Sequence, residues 1–198
     1  MKPFGVCLFC SASVSLPETY VDLARRFGEG VATAGWRLVY GGGGNGLMGA
    51  AARAAWAGGA PVLGVMPQVL VTRERLALSI GENQIVDSMA ERKLQMALAS
   101  DAFVGLPGGI GTLDEVSEMI TWNELGIHSK PMILVNEFGF WDPLLEFFRQ
   151  GRQSNVFRAD FDRHYTVVPT LAALFDTLRE VARSATADTP GHQDPAGH

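Results

Sequence analysis

Lysine is scarce in this chain, with only Lys2, Lys93 and Lys130 among 198 residues. Charge of either sign is sparse too: charged residues make up 19% and the net charge is −5. A net acidic surface does not attract a phosphodiester backbone, so nucleic acid is not an expected partner. No apolar run approaches the roughly 20 residues that a membrane-crossing helix needs, so no membrane partner is expected either. Cysteine is limited to Cys7 and Cys10. A C-x-x-C pair in a thioredoxin-like site opens a helix, but both of these lie inside an apolar run. Residues three apart on a strand point to opposite faces, so two reduced thiols are expected rather than a redox pair. No second cysteine pair could complete a zinc site, and His128, His164, His192 and His198 have no ligand spacing. The N-terminal run from Lys2 to Cys10 passes directly into a polar loop and an amphipathic helix. It reads as a first strand rather than a signal peptide, which suggests the cytoplasm.

Hydrophobic residues, by contrast, reach 47%, and there are 23 glycines. Short apolar runs alternate with amphipathic stretches along the whole chain. Strands are expected at 6–10, 37–40, 61–66, 84–86, 102–106, 131–135 and 165–168. Helices are expected at 17–34, 47–57, 89–100, from 113 to about 125, 141–149 and 171–181. Residues 67–83 fit neither period, although 68–78 could be partly helical. This alternation implies an α/β fold: one doubly wound, Rossmann-like parallel sheet with helices on both faces, in a single domain over residues 1–183. Residues 184–198, rich in Ala, Thr, Asp, Pro, Gly and His, read as a disordered tail.

The most informative stretch is residues 102–122. Ala102 to Leu106 is too short and too apolar for anything but a buried strand. Pro107-Gly108-Gly109 breaks it, and helical periodicity begins near Leu113, with Val116 and Ile120 on the same stripe. Glycines permit close backbone approach, and a helix N-terminus offers free N–H groups and the positive end of a dipole. An anion is therefore expected against the N–H groups of Gly109, Gly111 and Thr112, with the carboxylate of Glu115 nearby. Thr112-Leu-Asp-Glu115 also has the spacing of a capping box, with Thr112 as N-cap. That reading leaves the three neighbouring glycines without a purpose.

A second glycine loop, Gly41 to Gly46, precedes the alanine-rich helix. It satisfies G-x-G-x-x-G, but a dinucleotide site needs an acid about 20 residues on to hold the ribose. Between Ala50 and Arg73 there is no Asp or Glu at all. Neither glycine loop continues into Gly-Lys-Ser/Thr, so a Walker A loop is excluded. No cofactor is expected.

Tyr40-Gly-Gly-Gly43 with Gly46-Leu-Met-Gly49, and Pro107-Gly-Gly-Ile-Gly-Thr-Leu-Asp-Glu115, together resemble the LOG (Lonely Guy) family. Its members are cytokinin riboside 5′-monophosphate phosphoribohydrolases, long mislabelled lysine decarboxylases. The resemblance runs from about Val6 to Leu178 and includes Thr121-Trp122, Leu125-Gly126 and Lys130-Pro131. It implies that the turn with Gly108, Gly109, Gly111 and Thr112 binds a 5′-phosphate and that Glu115 is catalytic. The family's M-H-x-R-K segment reads Met89-Ala-Glu-Arg92-Lys93, so Arg92 carries over as the second catalytic residue, and Ala90 stands where the family has His. The resemblance also implies substrate contacts at Ser13, Gly42, Gly43, Glu74, Lys93 and Thr121.

The pairing makes chemical sense. Breaking an N-glycosidic bond develops positive charge on ribose and negative charge on the departing base. A carboxylate serves the first and can orient water; a cation serves the second, or the phosphate. Arg92 shares a helical face with Met89, Gln95, Met96 and Ala99, and an Arg on such a stripe needs an anionic partner. The expected activity is therefore hydrolysis of a nucleoside 5′-monophosphate to free base and ribose 5-phosphate. The alternatives are AMP or another nucleotide as substrate, and a nucleotide-binding carrier without turnover, which would need the phosphate loop but not the acid. A pyridoxal-phosphate decarboxylase would need one of the three lysines as its Schiff base. A homodimer is also expected: the resemblance implies it, and Met119, Trp122 and Trp56 exceed a single apolar stripe.

Overall fold

Seven short apolar segments pair side by side, each too short to be stable alone and each buried by its neighbours. The structure, a computed structural model, describes residues 2–71 and 80–187, with the side chains of 186 and 187 left aside. In chain order the strands are β1 (Gly5–Phe9), β2 (Arg37–Tyr40), β3 (Val62–Pro67), β4 (Glu82–Val86), β5 (Ala102–Gly105), β6 (Met132–Val135) and β7 (Thr166–Val168). The α-helices are α1 (Glu18–Thr33), α2 (Gly46–Ala57), α3 (Met89–Leu98), α4 (Ile110–Glu124), α5 (Asp142–Gln153) and α6 (Leu171–Ala187).

All strands are parallel, in the order β4-β3-β2-β1-β5-β6-β7. β1 lies at the centre, with Leu8 opposite Tyr40 on one side and Val104 on the other. Successive residues of β1 therefore feed two separate cores. Val6, Leu8 and Cys10 face α1, α2 and α6, where they meet residues such as Leu23, Phe27, Ala51 and Leu174. Cys7 and Phe9 face the other layer, with Met96 of α3, Val116 and Ile120 of α4, and Phe148 of α5. Cys7 and Cys10 are thus buried free thiols on opposite faces, as strand geometry requires.

The chain steps from β1 to β2, β3 and β4, then crosses back to β5 and continues the other way. Strand order reverses between β1 and β5, and the loops that leave these two strands diverge to opposite faces. A crevice at the carboxyl ends of the strands is the geometric result.

Some boundaries differ from the sequence expectation. The helix of the glycine turn starts at Ile110, a turn earlier than Leu113. α6 runs past Val181 to Ala187, covering the first residues of the expected tail. Gln68–Leu70 forms a single 3-10 turn; residues 72–79 and 188–198 lie outside the described residues. Of the apolar residues expected to stay uncovered, Met119 is buried and Trp122 packs against the core, leaving Trp56 exposed. Among the described residues no helix is long and apolar enough to cross a membrane.

Candidate active site

A cavity of about 270 Å³ opens at the switch point. Its walls come from the end of β1 (Cys10, Ser11, Ala12), from Met48 of α2 and from Leu70. Met89 and Arg92 of α3 close one side; Gly109, Gly111, Thr112, Asp114 and Glu115 close the other. Five segments distant in sequence therefore converge on one space.

Main-chain hydrogen bonds hold the loops together. The Ser11 N–H donates to the Pro107 carbonyl at 3.1 Å, tying the β1 loop to the glycine turn. The Ser11 carbonyl accepts from the Leu47 N–H at 2.9 Å, tying the same loop to the start of α2. The Leu106 N–H donates to the Phe9 carbonyl at 3.0 Å.

Gly109 is the N-cap of α4, in extended conformation, and its carbonyl accepts the first helical bond, from the Leu113 N–H at 3.0 Å. The N–H groups of Ile110, Gly111 and Thr112 consequently have no acceptor within the helix. The first turn carries no acidic residue, so nothing in it offsets the positive end of the dipole. This arrangement replaces the capping box. Thr112 lies inside the helix and is buried, so it cannot serve as N-cap. Gly-rich sequence with poor helix propensity hides a helix start here.

Arg92, in the first turns of α3, is 5% exposed. Its Nε donates to the Val65 carbonyl at 3.1 Å and its Nη2 to the Gly41 carbonyl at 3.0 Å, at the ends of β3 and β2. Both partners are neutral, so they orient the guanidinium without neutralising it. A Cβ built at Gly41 would collide with Nη2 and Cζ of Arg92, which explains the glycine at that position. A buried cation held by neutral carbonyls and facing a cavity is suited to an anion.

The charge of Glu115 is felt along β1. Burial first, and Glu115 second, push the Cys10 thiol well above its ordinary value, and Cys7 likewise. Cys10 is accordingly a neutral wall of the cavity, not a nucleophile.

The remaining expected residues divide. Gly109, Gly111, Thr112, Arg92 and Glu115 share the cavity. Gly108 is just outside it, pressed against the Thr112 side chain. Gly42 and Gly43 are buried within the second loop and do not line the cavity. Ser13 is exposed and its N–H bonds the Ser11 hydroxyl at 3.1 Å. Thr121 is exposed on α4 and donates to the Ser117 carbonyl at 2.8 Å. The Lys93 ammonium sits on Asp114 at 3.0 Å and Glu118 at 3.1 Å rather than in the cavity. Glu74 lies outside the described residues. Sequence reasoning missed Met48 and Asp114 as lining residues. Their adjacency to the glycine loops and to Glu115 was the available signal.

An open parallel sheet with an anion-suited helix terminus at its switch point defines a Rossmann-like α/β protein. Residues 48–178 match the family model described as "possible lysine decarboxylase". The rice protein named probable cytokinin riboside 5′-monophosphate phosphoribohydrolase LOGL1 is 43% identical over 182 residues, covering 91% of this chain and 82% of that one. The rice cytokinin riboside 5′-monophosphate phosphoribohydrolase LOG is 41% identical over 175 residues, covering 88% and 72%. The chain belongs to the LOG family of cytokinin riboside 5′-monophosphate phosphoribohydrolases. Its fold is shared with the molybdenum cofactor carrier protein of Chlamydomonas reinhardtii (TM-score 0.70, 21% identity, 92% of this chain and 99% of that one).

Proposed function

We propose that this protein hydrolyses the N-glycosidic bond of a cytokinin-type nucleoside 5′-monophosphate, releasing the free N6-modified base and ribose 5-phosphate. One observation carries the reading: Arg92 lines the same cavity as Glu115 and the open N-terminus of α4. The N–H groups of Gly109, Gly111 and Thr112 hold the 5′-phosphate. That places the ribose near Glu115, one turn further along the same helix.

In the reaction, the C1′–N bond breaks and its electron pair leaves with the base. Glu115 stabilises the positive charge growing on the ribose ring and accepts a proton from the attacking water as the new C1′–O bond forms. The departing base takes up a proton from solvent, and Glu115 returns its own to solvent afterwards, so one water is consumed overall. Arg92 remains protonated throughout, because arginine does not lose its charge in proteins. It acts as a fixed cation for the leaving base or the phosphate, at a position set by the Val65 and Gly41 carbonyls. The apolar walls at Met48, Leu70 and Met89 suit a base with a hydrophobic N6 substituent.

Lysine decarboxylation fits this site poorly. Lys93 is engaged by Asp114 and Glu118. Lys130 precedes β6, at the far end of the sheet, and donates to the Ala97 carbonyl at 2.8 Å. Neither can reach the cavity to form a Schiff base. The carrier reading draws on fold alone, whereas a carrier has no use for a carboxylate beside the phosphate turn.

The protein is read further as a cytoplasmic homodimer. Buried free thiols suit a reducing compartment. Leu94 and Leu98, one turn apart on α3, are exposed, as are Ile85 and Ile110. Light scattering at micromolar concentration gives a dimer mass on this reading and a monomer mass against it. The activity itself is tested by incubating the protein with a panel of nucleoside monophosphates and measuring ribose 5-phosphate. Release from an N6-modified adenine nucleotide supports the proposal; release from none of them overturns it.

A further inference from the structure

We propose that Met89 is a reversible oxidation site in the cavity wall: peroxide converts its thioether to the sulfoxide, and the new oxygen engages Arg92 and slows hydrolysis. The slowing rests on the hydrolase reading; the site of oxidation does not. Methionine oxidation follows exposure, and the described methionines differ sharply in it. Met89 is 41% exposed, whereas Met48 is 7% exposed and Met66, Met96, Met119 and Met132 are at most 1% exposed. Met89 also lines the cavity, so the opening that admits a substrate admits peroxide. It shares the Arg92 side of α3, while the exposed Leu94 and Leu98 lie on the far side of that helix. The two other sulfurs of the cavity wall are protected. Met48 is buried, and Cys10 is a buried neutral thiol rather than the thiolate that peroxide attacks.

The contact that gives this oxidation a consequence is with Arg92. Its Nη1 donates to the Met89 sulfur at 3.9 Å, while Nε and Nη2 are held by the Val65 and Gly41 carbonyls. A thioether is a weak acceptor, so Nη1 is the part of the guanidinium left for an anion or a leaving base. In the oxidation a sulfur lone pair attacks one peroxide oxygen, the O–O bond breaks, and the other oxygen leaves as water. The sulfur loses two electrons and the peroxide gains them. The sulfoxide oxygen then sits on the atom that already faces Nη1. A hydrogen bond to it from a cation is stronger than the thioether contact it replaces, so a ligand has to displace it. The same step turns an apolar wall into a polar one. A methionine sulfoxide reductase reverses it, removing the oxygen as water while two thiols become a disulfide.

Brief treatment of the full-length protein with hydrogen peroxide, followed by peptide mass spectrometry, tests the site without turnover. Met89 should gain one oxygen at least about tenfold faster than Met48, Met66, Met96, Met119 or Met132. Hydrolysis rates on the same samples test the consequence. The loss should track the Met89 sulfoxide fraction, reach about tenfold at completion, and be recovered by methionine sulfoxide reductase with a thiol. Met89→Leu, whatever its starting rate, should keep that rate through the same treatment. Met89→Gln, which places a fixed polar acceptor there, should resemble the oxidised wild type and not respond to the reductase. Earlier oxidation of another methionine overturns the site. Complete Met89 oxidation with hydrolysis intact, or an equal loss in Met89→Leu, overturns its link to Arg92. A wild-type protein inactive before treatment, with Met89 still oxidised first, would fault the hydrolase reading and leave the oxidation site standing.

Discussion

The Arg92 guanidinium occupies the space that a side chain at position 41 would fill: its Nη2 donates to the Gly41 carbonyl at 3.0 Å, and a Cβ on Gly41 would overlap Nη2 and Cζ. The glycine after β2 is thus a seat for the proposed catalytic cation, not a phosphate cradle.

Gly41→Ala follows directly from this relationship. The obstructing atoms are the end of a flexible side chain, so the fold can accommodate the methyl by displacing Arg92. Hydrolysis should fall by about tenfold or more while the melting temperature changes little, since the substitution removes a fixed charge rather than core packing. Parallel kinetics and thermal melts check this; full activity would show that Arg92 need not sit there.

The three glycines of the turn should separate by cause. A Cβ at Gly108 would strike the Thr112 side chain, which is β-branched and stiff, so Gly108→Ala should destabilise by about 1–3 kcal/mol. A Cβ at Gly109 or Gly111 meets nothing within 4 Å. Gly111 lies in α4, where alanine is favoured over glycine by roughly 0.5–1 kcal/mol, so Gly111→Ala should fold at least as well as the wild type. If these N–H groups hold phosphate, Gly109→Ala and Gly111→Ala should nonetheless raise KM for the nucleotide severalfold. Unchanged KM in both would place the phosphate elsewhere.

Much of this site was legible before the structure. The β2 boundaries matched because the apolar run Leu38 to Tyr40 lies between the breaks at Gly35 and Gly41. The strand, glycine turn and helix around residue 108 were legible because Pro107 and the glycines mark the change of period. The start of α4 was not, because Ile110-Gly111 looks like loop by propensity, and tertiary contacts with the β1 loop override it. Lys93 was legible as the residue after Arg92 and, through the resemblance, as a substrate contact, but its ion pairs were not. Its partners, Asp114 and Glu118, lie on another helix, and only the crossover at the switch point brings them together. Met119 and Trp122 looked surplus on a helical wheel because nothing in the sequence shows that the aromatic residues around Phe148 and Phe161 fill the same layer.

Acid should weaken the fold through His128. Burial first, and the charge of Lys130 second, hold its pKa below the usual 6.5. Its Nδ1 accepts the Lys130 N–H at 3.2 Å, which the protonated ring cannot do. The unfolded chain then binds a proton that the native state resists, so this contribution is intact above about pH 6.5 and is lost as pH falls below it. Melting temperatures of wild type and His128→Gln should therefore converge between pH 7 and pH 5. Parallel curves would remove His128 from the acid response.

The most direct test of the central claim compares wild type and Glu115→Gln for ribose 5-phosphate release from an N6-modified adenine nucleotide, with thermal melts alongside. Because Gly109, not Thr112, is the N-cap of α4, loss of a capping box at Thr112 does not confuse the outcome. The account predicts an unchanged melting temperature and a rate lower by on the order of a hundredfold or more, the scale of losing one positioned carboxylate. Near-normal release by Glu115→Gln would contradict it.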